Sequence, residues 1–497
     1  MEYKLEASEI SCLTSVVSQQ KQQEQTQEVK LTEGMPDVGR ILGCWGQPLI
    51  RGKDWHSDSI GVNGGVMAWV LYAAEDGTGA RTLTCWIPFQ TRYDIPNTQA
   101  DGSITATVQI SSMDARISSA RRIMVRCCLQ LGVNGAVRSR QTVYSADNIP
   151  REIQLRQEIY PLQLTMEAGE REITIDEQIQ LPGNYPSPET IVRFSLQPKV
   201  SETKLMGSRL ILRGLCSFRM VYMSEDGEVC SWDAELPVAQ YSDLSGEYGS
   251  SAQCRCVPIV TGAELDRGED GRYRLKASLA MQYEIIDRVM VSVTEDAYCP
   301  GSNVEVHTEP LCLPALLDMR TDAVELEQVI HADARQVVDC CVYTTAQAIR
   351  ATEDGLSTQL RSDTQVLFLD ENGQLQGGSV RTETEWALPS EPENKAEMLL
   401  IPGIPNVVVG EDIRVHCDLS VQSAVYANAC PEMVRSLTVT EKPSPQQPQP
   451  ALILKRSAGR RLWDIAKETG STVEAICKAN KLEQEPLDDR MLLIPVL

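Results

Sequence analysis

The chain has 497 residues, 42% apolar and 23% charged, so it is neither disordered nor collagen-like, and at roughly 150 residues per domain it predicts about three to four domains. Aromatics make up only 5%, with four Phe, which leaves Val, Ile, Leu and Met to build modest, strand-rich cores. Against 46 Lys and Arg stand 69 Asp and Glu, a net charge of −23 whose field repels phosphate backbones and anionic lipid, so neither nucleic acid nor an anionic membrane surface is an expected partner.

From the N-terminus, residues 1–6 mix charges and lack an apolar core with a small-residue cleavage site, so no secretory signal is read there. The longest relevant apolar run, residues 66–74, falls far short of the roughly 20 residues that span a bilayer. A cytoplasmic protein without membrane insertion is expected, and in that compartment the 16 Cys are predicted to be reduced. Residues 19–28 form a Gln-rich polar run with little to bury, predicted as a surface loop or a solvated helix. Residues 38–48 resemble two later segments and are read as part of a mostly β body. Residues 61–65 are read as a loop, since they do not follow a strand and open a helix as a phosphate-binding loop would.

The next segment carries a pattern that returns twice. Val66, Ala68, Val70 and Tyr72 alternate along one face of a strand leading into Glu75-Asp76-Gly77; Cys216, Phe218, Met220 and Tyr222 do the same before Glu225-Asp226-Gly227, and residues 364–368 precede Glu371-Asn372-Gly373. Intervening positions include the polar Arg219, Asp363 and Gln365. An aromatic stands five positions before a Gly each time, and these aromatics lie 150 and 146 residues apart, which argues for tandem domains. Asp76-Gly77, Asp226-Gly227 and Asn372-Gly373 suit a type I′ turn, in which two successive residues take positive φ. Returning strands run through 83–88, 229–237 and 379–389, each predicted to end at its proline, and the third is several residues longer. Strands like 38–48 recur at 191–198 and 337–346, and alternating runs close the copies at 122–131, 273–281 and 413–421. The predicted fold class is mainly β: three tandem β-sandwich-like domains at 1–156, 157–306 and 307–440, the third divergent.

Catalytic patterns are sparse. The four His are His56, His307, His331 and His416; none accompanies a nucleophile in a turn, and His416 and Cys417 face apart on one strand. Glu75-Asp76 and Glu225-Asp226 sit at hairpin tips, where turn chemistry accounts for them and nothing desolvates them into acid–base pairs. No Cys-x-x-Cys occurs. Cys127-Cys128 and Cys340-Cys341 point to opposite faces of strands, and Cys254 and Cys256 share a face without a His or a second pair to complete a zinc set. No enzymatic activity, cofactor or metal is expected.

Residues 441–450 include four prolines, predicting an extended, semi-rigid linker. Beyond it, 451–497 reads strand, helix, helix, strand. The strands are 452–455 and 491–495; Leu462, Ile465, Ala466 and Thr469 keep helical spacing, Gly470 stops that helix, and Ser471 to Glu474 form a capping box for a second helix with Val473, Ile476 and Cys477 on one face. Trp463 is expected to wedge in this thin core or to stack on a sugar. The tail carries eight basic and seven acidic residues, net +1, so that the chain total of −23 leaves −24 on residues 1–450. On that reading the body is a scaffold and the tail, on its spacer, a hook.

Gly459-Arg460-Arg461-Leu462-Trp463, then Gly470 to Val473, Ala479-Asn480 and Leu493-Ile494-Pro495, closely resemble the LysM family over almost the whole tail. The resemblance implies binding of N-acetylglucosamine-containing glycans by the loop after the first strand, here Gly459, Arg460, Arg461 and Leu462, and by the loop after the second helix, here Asn480, Lys481 and Leu482. Where that family typically has Gly-Asp-Thr, this loop has Gly459-Arg460-Arg461, and two cations in place of an acid and a hydroxyl favour an acidic protein surface. Residues 36–42, Val70 to Tyr72 with Glu75 to Gly77, and 87–89 look like the SPOCS family, and SPOCS units followed by a LysM resemble the SipL-type spore coat morphogenetic proteins of clostridial spore formers. That resemblance implies a structural interaction protein of spore coat assembly, acting from the mother-cell cytoplasm at the forespore surface, whose LysM binds the ATPase of the coat base layer, with other coat proteins as further partners. The alternative it leaves is a peptidoglycan-binding protein of the cortex or cell wall.

Overall fold

A computed structural model of the chain describes all residues except 99–100, 147, 269–271, 443–450, 458, 483–488 and 497. The linker expected at 441–450 therefore lies, beyond its first two residues, outside the described residues. Among the described residues the fold is mainly β, with 24 strands and two helices. None of its helices is long and apolar enough to cross a membrane.

Three successive stretches of chain each build antiparallel sheets that face one another. In the first, Val38–Trp55, Ser59–Ala74 and Ala80–Asp94 form one sheet, and Glu6–Lys30, Arg122–Ser145 and Ser103–Ser119 the other. Val66, Ala68, Val70 and Tyr72 cross the gap to meet Ile110, Cys127 and Leu129 in a shared core, as the alternation predicts. In the second, Gln154–Ile179, Tyr273–Tyr298 and Gln253–Arg267 face Pro188–Ser224 paired with Val229–Tyr248. In the third, Leu313–Ile330, Ile413–Ala429 and Lys395–Pro402 face Ala334–Ala346, Gly355–Asp370 and Leu375–Leu388. A small sheet pairs Glu2–Lys4 and Ser302–Pro310 with the two sides of Glu432–Glu441, sewing the first residues to the end of the third unit. The joins expected at 156/157 and 306/307 fall inside Gln154–Ile179 and Ser302–Pro310.

Several local expectations change because a neighbouring strand decides them. Residues 19–28 are neither loop nor helix but part of the edge strand Glu6–Lys30, whose ladder is completed by Arg122–Ser145 while its glutamines mostly face water. Residues 61–65 belong to Ser59–Ala74, where a Cβ on Gly64 would fall 2.1 Å from the Leu49 carbonyl oxygen, so the glycine serves close strand packing rather than a loop. Pro88 and Pro237 lie inside their strands; both strands are sheet edges, where a missing N–H is tolerated. The third return strand pairs without a shift from Leu369↔Leu375 to Leu356↔Leu388.

The hairpin turns are not type I′. Gly77, Gly227 and Gly373 have φ of 76°, 80° and 75°, but among the described residues Lys481 is the only non-glycine with positive φ, so Asp76, Asp226 and Asn372 keep negative φ. Each glycine N–H donates to the carbonyl three residues back, on Ala74, Ser224 and Asp370. That is a type I turn closed by a left-handed glycine, which reverses the strand with one special residue instead of two.

The internal repeat is visible in hydrogen bonds: Tyr72 OH donates to the Pro36 carbonyl and Tyr222 OH to that of Pro186, each at 3.0 Å and 36 positions away. Phe368, the third aromatic, has no hydroxyl to donate. More consequentially, the three units close into a ring. Leu71, Val221 and Leu367, each just before the repeated aromatic, are buried in one cluster with Leu42, Trp45 and Val192. Across the hairpins these residues pair with Thr82, Ser231 and Gly377. Thr82 Oγ1 donates to the Val192 carbonyl at 3.2 Å and Ser231 Oγ to the Val338 carbonyl at 2.8 Å. Gly377 completes the circuit, packed so tightly that a Cβ would fall 1.8 Å from the Leu42 carbonyl oxygen of the first unit. One seam is thus used three times around a pseudo-threefold axis.

Of the polar intervening positions, Arg219 and Gln365 bond across seams between units, and Asp363 pairs with Arg381 of its own unit. Arg219 donates to the Cys340 carbonyl at 2.8 Å, Gln365 Nε2 to the Met113 carbonyl at 2.9 Å, and Asp363 is buried. Arg193 and Asp339, 2% and 3% exposed, join the second unit to the third by paired hydrogen bonds of 2.9 and 2.8 Å.

Candidate partner-binding site

In the C-terminal module Leu452–Arg456 pairs with Met491–Pro495, and α1 (Leu462–Thr469) and α2 (Val473–Asn480) cover one side, the element order read from the sequence. Ile453, Leu492 and Ile494 meet Leu462, Ile465, Ala466 and Ile476 in its core. Gly470, at φ 70°, ends α1 as expected. The cap of α2 is Thr472, whose hydroxyl accepts from the Ala475 N–H at 3.1 Å. Ser471, one residue before the cap, instead closes the last turn of α1 by donating its N–H to the Ala466 carbonyl at 3.0 Å.

Trp463 is buried in the module's core cluster, as the wedge reading expects, and from there reaches the second unit. It is 8% exposed and lies edge-on to Tyr298 of the second unit, ring centroids 4.8 Å apart, with its indole N–H donating to Asp296 at 2.8 Å. Lys467 donates to the same carboxylate at 2.7 Å, and Tyr298 OH to the Ser471 carbonyl at 3.0 Å. The module is therefore docked through α1 on Tyr273–Tyr298 rather than hanging free as a hook. Burial pushes the Asp296 carboxyl up, but hydrogen bonds from Lys467 and Trp463 outweigh it and hold the group below its ordinary value of 3.8. Neither Asp296 nor Tyr298 stands out in the sequence, since each is one more residue of an alternating strand.

The seven loop residues singled out by resemblance divide into two sets. Leu462 is buried in the core and Leu482 packs against it. Asn480 is also structural: its amide donates to the Leu493 carbonyl at 2.7 Å and its oxygen accepts the Leu493 N–H at 2.8 Å, tying α2 to the sheet. Gly459, Arg460, Arg461 and Lys481 are exposed. Arg460 folds back on Glu468 at 2.8 Å, whereas Arg461 and Lys481 make no ion pair among the described residues. The first loop leaves the sheet at the end where Arg456 pairs with Met491 and the Ser457 N–H donates to the Arg490 carbonyl at 2.9 Å, whereas the second is tied by Asn480 beside Leu493, in the middle of Met491–Pro495.

The outer face of that sheet is bare. Leu452, Leu454, Met491 and Leu493 are 56%, 66%, 55% and 38% exposed, with Leu454 directly opposite Leu493. Alternation marks these residues as one face of two strands; only the placement of both helices on the other side reveals that none of the described residues covers it.

A cavity of ≈ 230 Å³ lies where the three units meet, lined among others by Gln47, Gln197, Tyr343 and Arg193. Its polar groups are engaged in holding the ring. Gln47 accepts the Leu196 N–H at 2.8 Å, Gln197 donates to the Pro402 carbonyl at 2.8 Å, Tyr343 OH accepts the Gly46 N–H at 3.0 Å, and Arg193 is held by Asp339. Burial raises Tyr343 well above the ordinary phenol and keeps it protonated. Compared with protein-family models, curated proteins and solved structures, the chain matches none.

Proposed function

We propose that the protein is a non-enzymatic interaction protein in which a ring of three β units presents a C-terminal docking module to an acidic, partly apolar protein surface. The observation that carries this is the exposed sheet face of Leu452, Leu454, Met491 and Leu493, with the exposed cations Arg461 and Lys481 on the two loops of the same module. A contiguous exposed apolar patch favours a protein contact, and adjacent cations select an acidic partner and speed its encounter. Combined with the resemblance of the tail to LysM and of the units to SPOCS, the partner is the ATPase of the spore coat base layer, met in the mother-cell cytoplasm at the forespore surface. The body then acts as a rigid mount, and a partner that polymerises gains from many copies bound side by side.

The peptidoglycan alternative has weaker support. Sugar rings are commonly held on an exposed aromatic, and Trp463, the one aromatic of residues 451–497, is turned onto Tyr298. Co-sedimentation of the full chain with the purified ATPase and, separately, with purified peptidoglycan tests the two readings. Retention by the ATPase is expected, weakened about tenfold by Leu454→Glu and by Arg461→Thr. Retention by peptidoglycan alone, indifferent to Leu454→Glu, overturns the proposal.

A further inference from the structure

Of the sixteen cysteines only Cys312 and Cys430 are exposed, and they stand together. Their sulfurs are 2.7 Å apart, with the Cys430 thiol donating to Cys312. Ladder pairs hold the backbone on both sides: Leu313 opposite Ala429 on one, and Pro310 opposite Glu432 on the other, where the Leu311 N–H also donates to the Pro431 carbonyl at 3.0 Å. The two residues thus face each other at the point where both chains cross from one sheet to the next. A disulfide requires two side chains that converge with little backbone movement, and sulfurs 2.7 Å apart between fixed ladder pairs meet that requirement.

We infer that Cys312 and Cys430 are a disulfide-forming site, open as two thiols in a reducing compartment and closed by a low-molecular-weight disulfide such as oxidised glutathione. The Cys312 thiolate attacks one glutathione sulfur and expels a glutathione thiolate, leaving a mixed disulfide. Cys430 gives up its proton and attacks the Cys312 sulfur, expelling the second glutathione thiolate. Two protein thiols are oxidised, one small disulfide is reduced to two thiols, and the protons pass to the leaving thiolates. The shared hydrogen bond, which pushes Cys430 up to about 11, makes Cys312 the first attacker. Burial also restrains other thiols, pushing Cys85 and Cys417 up to about 11 and Cys216 to about 12.

The consequence is mechanical. The bond would join positions 118 apart, next to Glu432–Glu441, the strand that holds the chain's first residues. Closing so long a loop restricts the unfolded chain and so resists opening of the third unit. This inference concerns the ring and does not depend on which partner the tail binds.

The test is to incubate the folded full chain with oxidised glutathione and then carry out peptide mapping without reductant, thiol titration and urea unfolding. A single intramolecular link between the Cys312 and Cys430 peptides is expected, with loss of two titratable thiols and a urea midpoint raised relative to the reduced protein, all reversed by dithiothreitol. Cys312→Ser and Cys430→Ser should each abolish the link and the shift. A persistent glutathione adduct on either residue, a link between chains, no link at all, or a link that leaves the urea midpoint unmoved would each overturn the inference.

Discussion

At the scale of single residues, Arg193 and Asp339 place two full charges almost out of water at a seam between units. Desolvation nearly cancels the attraction of such a pair, yet removing one partner strands the other. Asp339→Ala should therefore destabilise the protein by about 3 to 5 kcal/mol, whereas Arg193→Leu combined with Asp339→Leu should cost far less or even stabilise. Thermal unfolding of the single and double variants checks this; a double variant as unstable as the single would contradict it. The same attention to partners separates the two loop arginines. Arg460 holds Glu468, so a charge reversal there sets two acids together and mixes stability with binding, while Arg461→Thr disturbs no ion pair among the described residues and, at the N-cap of α1, puts a residue that favours the helix start, so that a loss of binding is not a loss of folding.

Among the elements, α1 is the one whose position matters most, because it turns the module's Trp463 and Lys467 onto Asp296. A carboxyl held below its ordinary 3.8 contributes docking energy in full above that value, and the contribution is lost as pH falls through the lowered folded value. Docking should therefore be flat from neutral pH down to about 4 and weaken only in stronger acid. Asp296→Asn should loosen it across that plateau and remove the acid transition. Hydrogen exchange of residues 462–469 in the full chain measures both, and release of α1 already near pH 6 would contradict the assignment. Trp463→Ala should likewise raise exchange in α1, at a cost of about 3 to 5 kcal/mol to the module, since it deletes both the ring contact and the indole donor.

For the whole molecule, ring closure is the feature on which the others rest. Gly377 is where it closes, and a methyl group there would meet the Leu42 carbonyl oxygen at 1.8 Å, backbone against backbone with no flexible side chain to yield. Gly377→Ala should cost about 1 to 3 kcal/mol or more and open the seam between the third and first units. Limited proteolysis with small-angle scattering should show a longer, more cleavable particle; an unchanged profile would mean that the seam is loose. Because one apolar cluster draws residues from all three units, they should also unfold together.

Much of this architecture was legible in one dimension. The spacing of Tyr72, Tyr222 and Phe368 marks the three units, alternation at Val66, Ala68, Val70 and Tyr72 marks their inner faces, and Gly470 marks the end of α1. Those signals are local: each reports how one element must turn or which side of it is apolar. What they cannot report is what lies against the other side. Leu71, Val221 and Leu367 gather at the axis, Arg219 and Gln365 reach across seams, Trp463 rests on Tyr298, and Cys312 meets Cys430 only once distant strands have been brought together. A polar residue that satisfies a neighbouring backbone leaves the same trace in a sequence as one that faces water. The chain's own pattern therefore determined the β units and the order of the tail, while the ring, the docked module and the bare leucine face were decided by which surfaces the folded units cover.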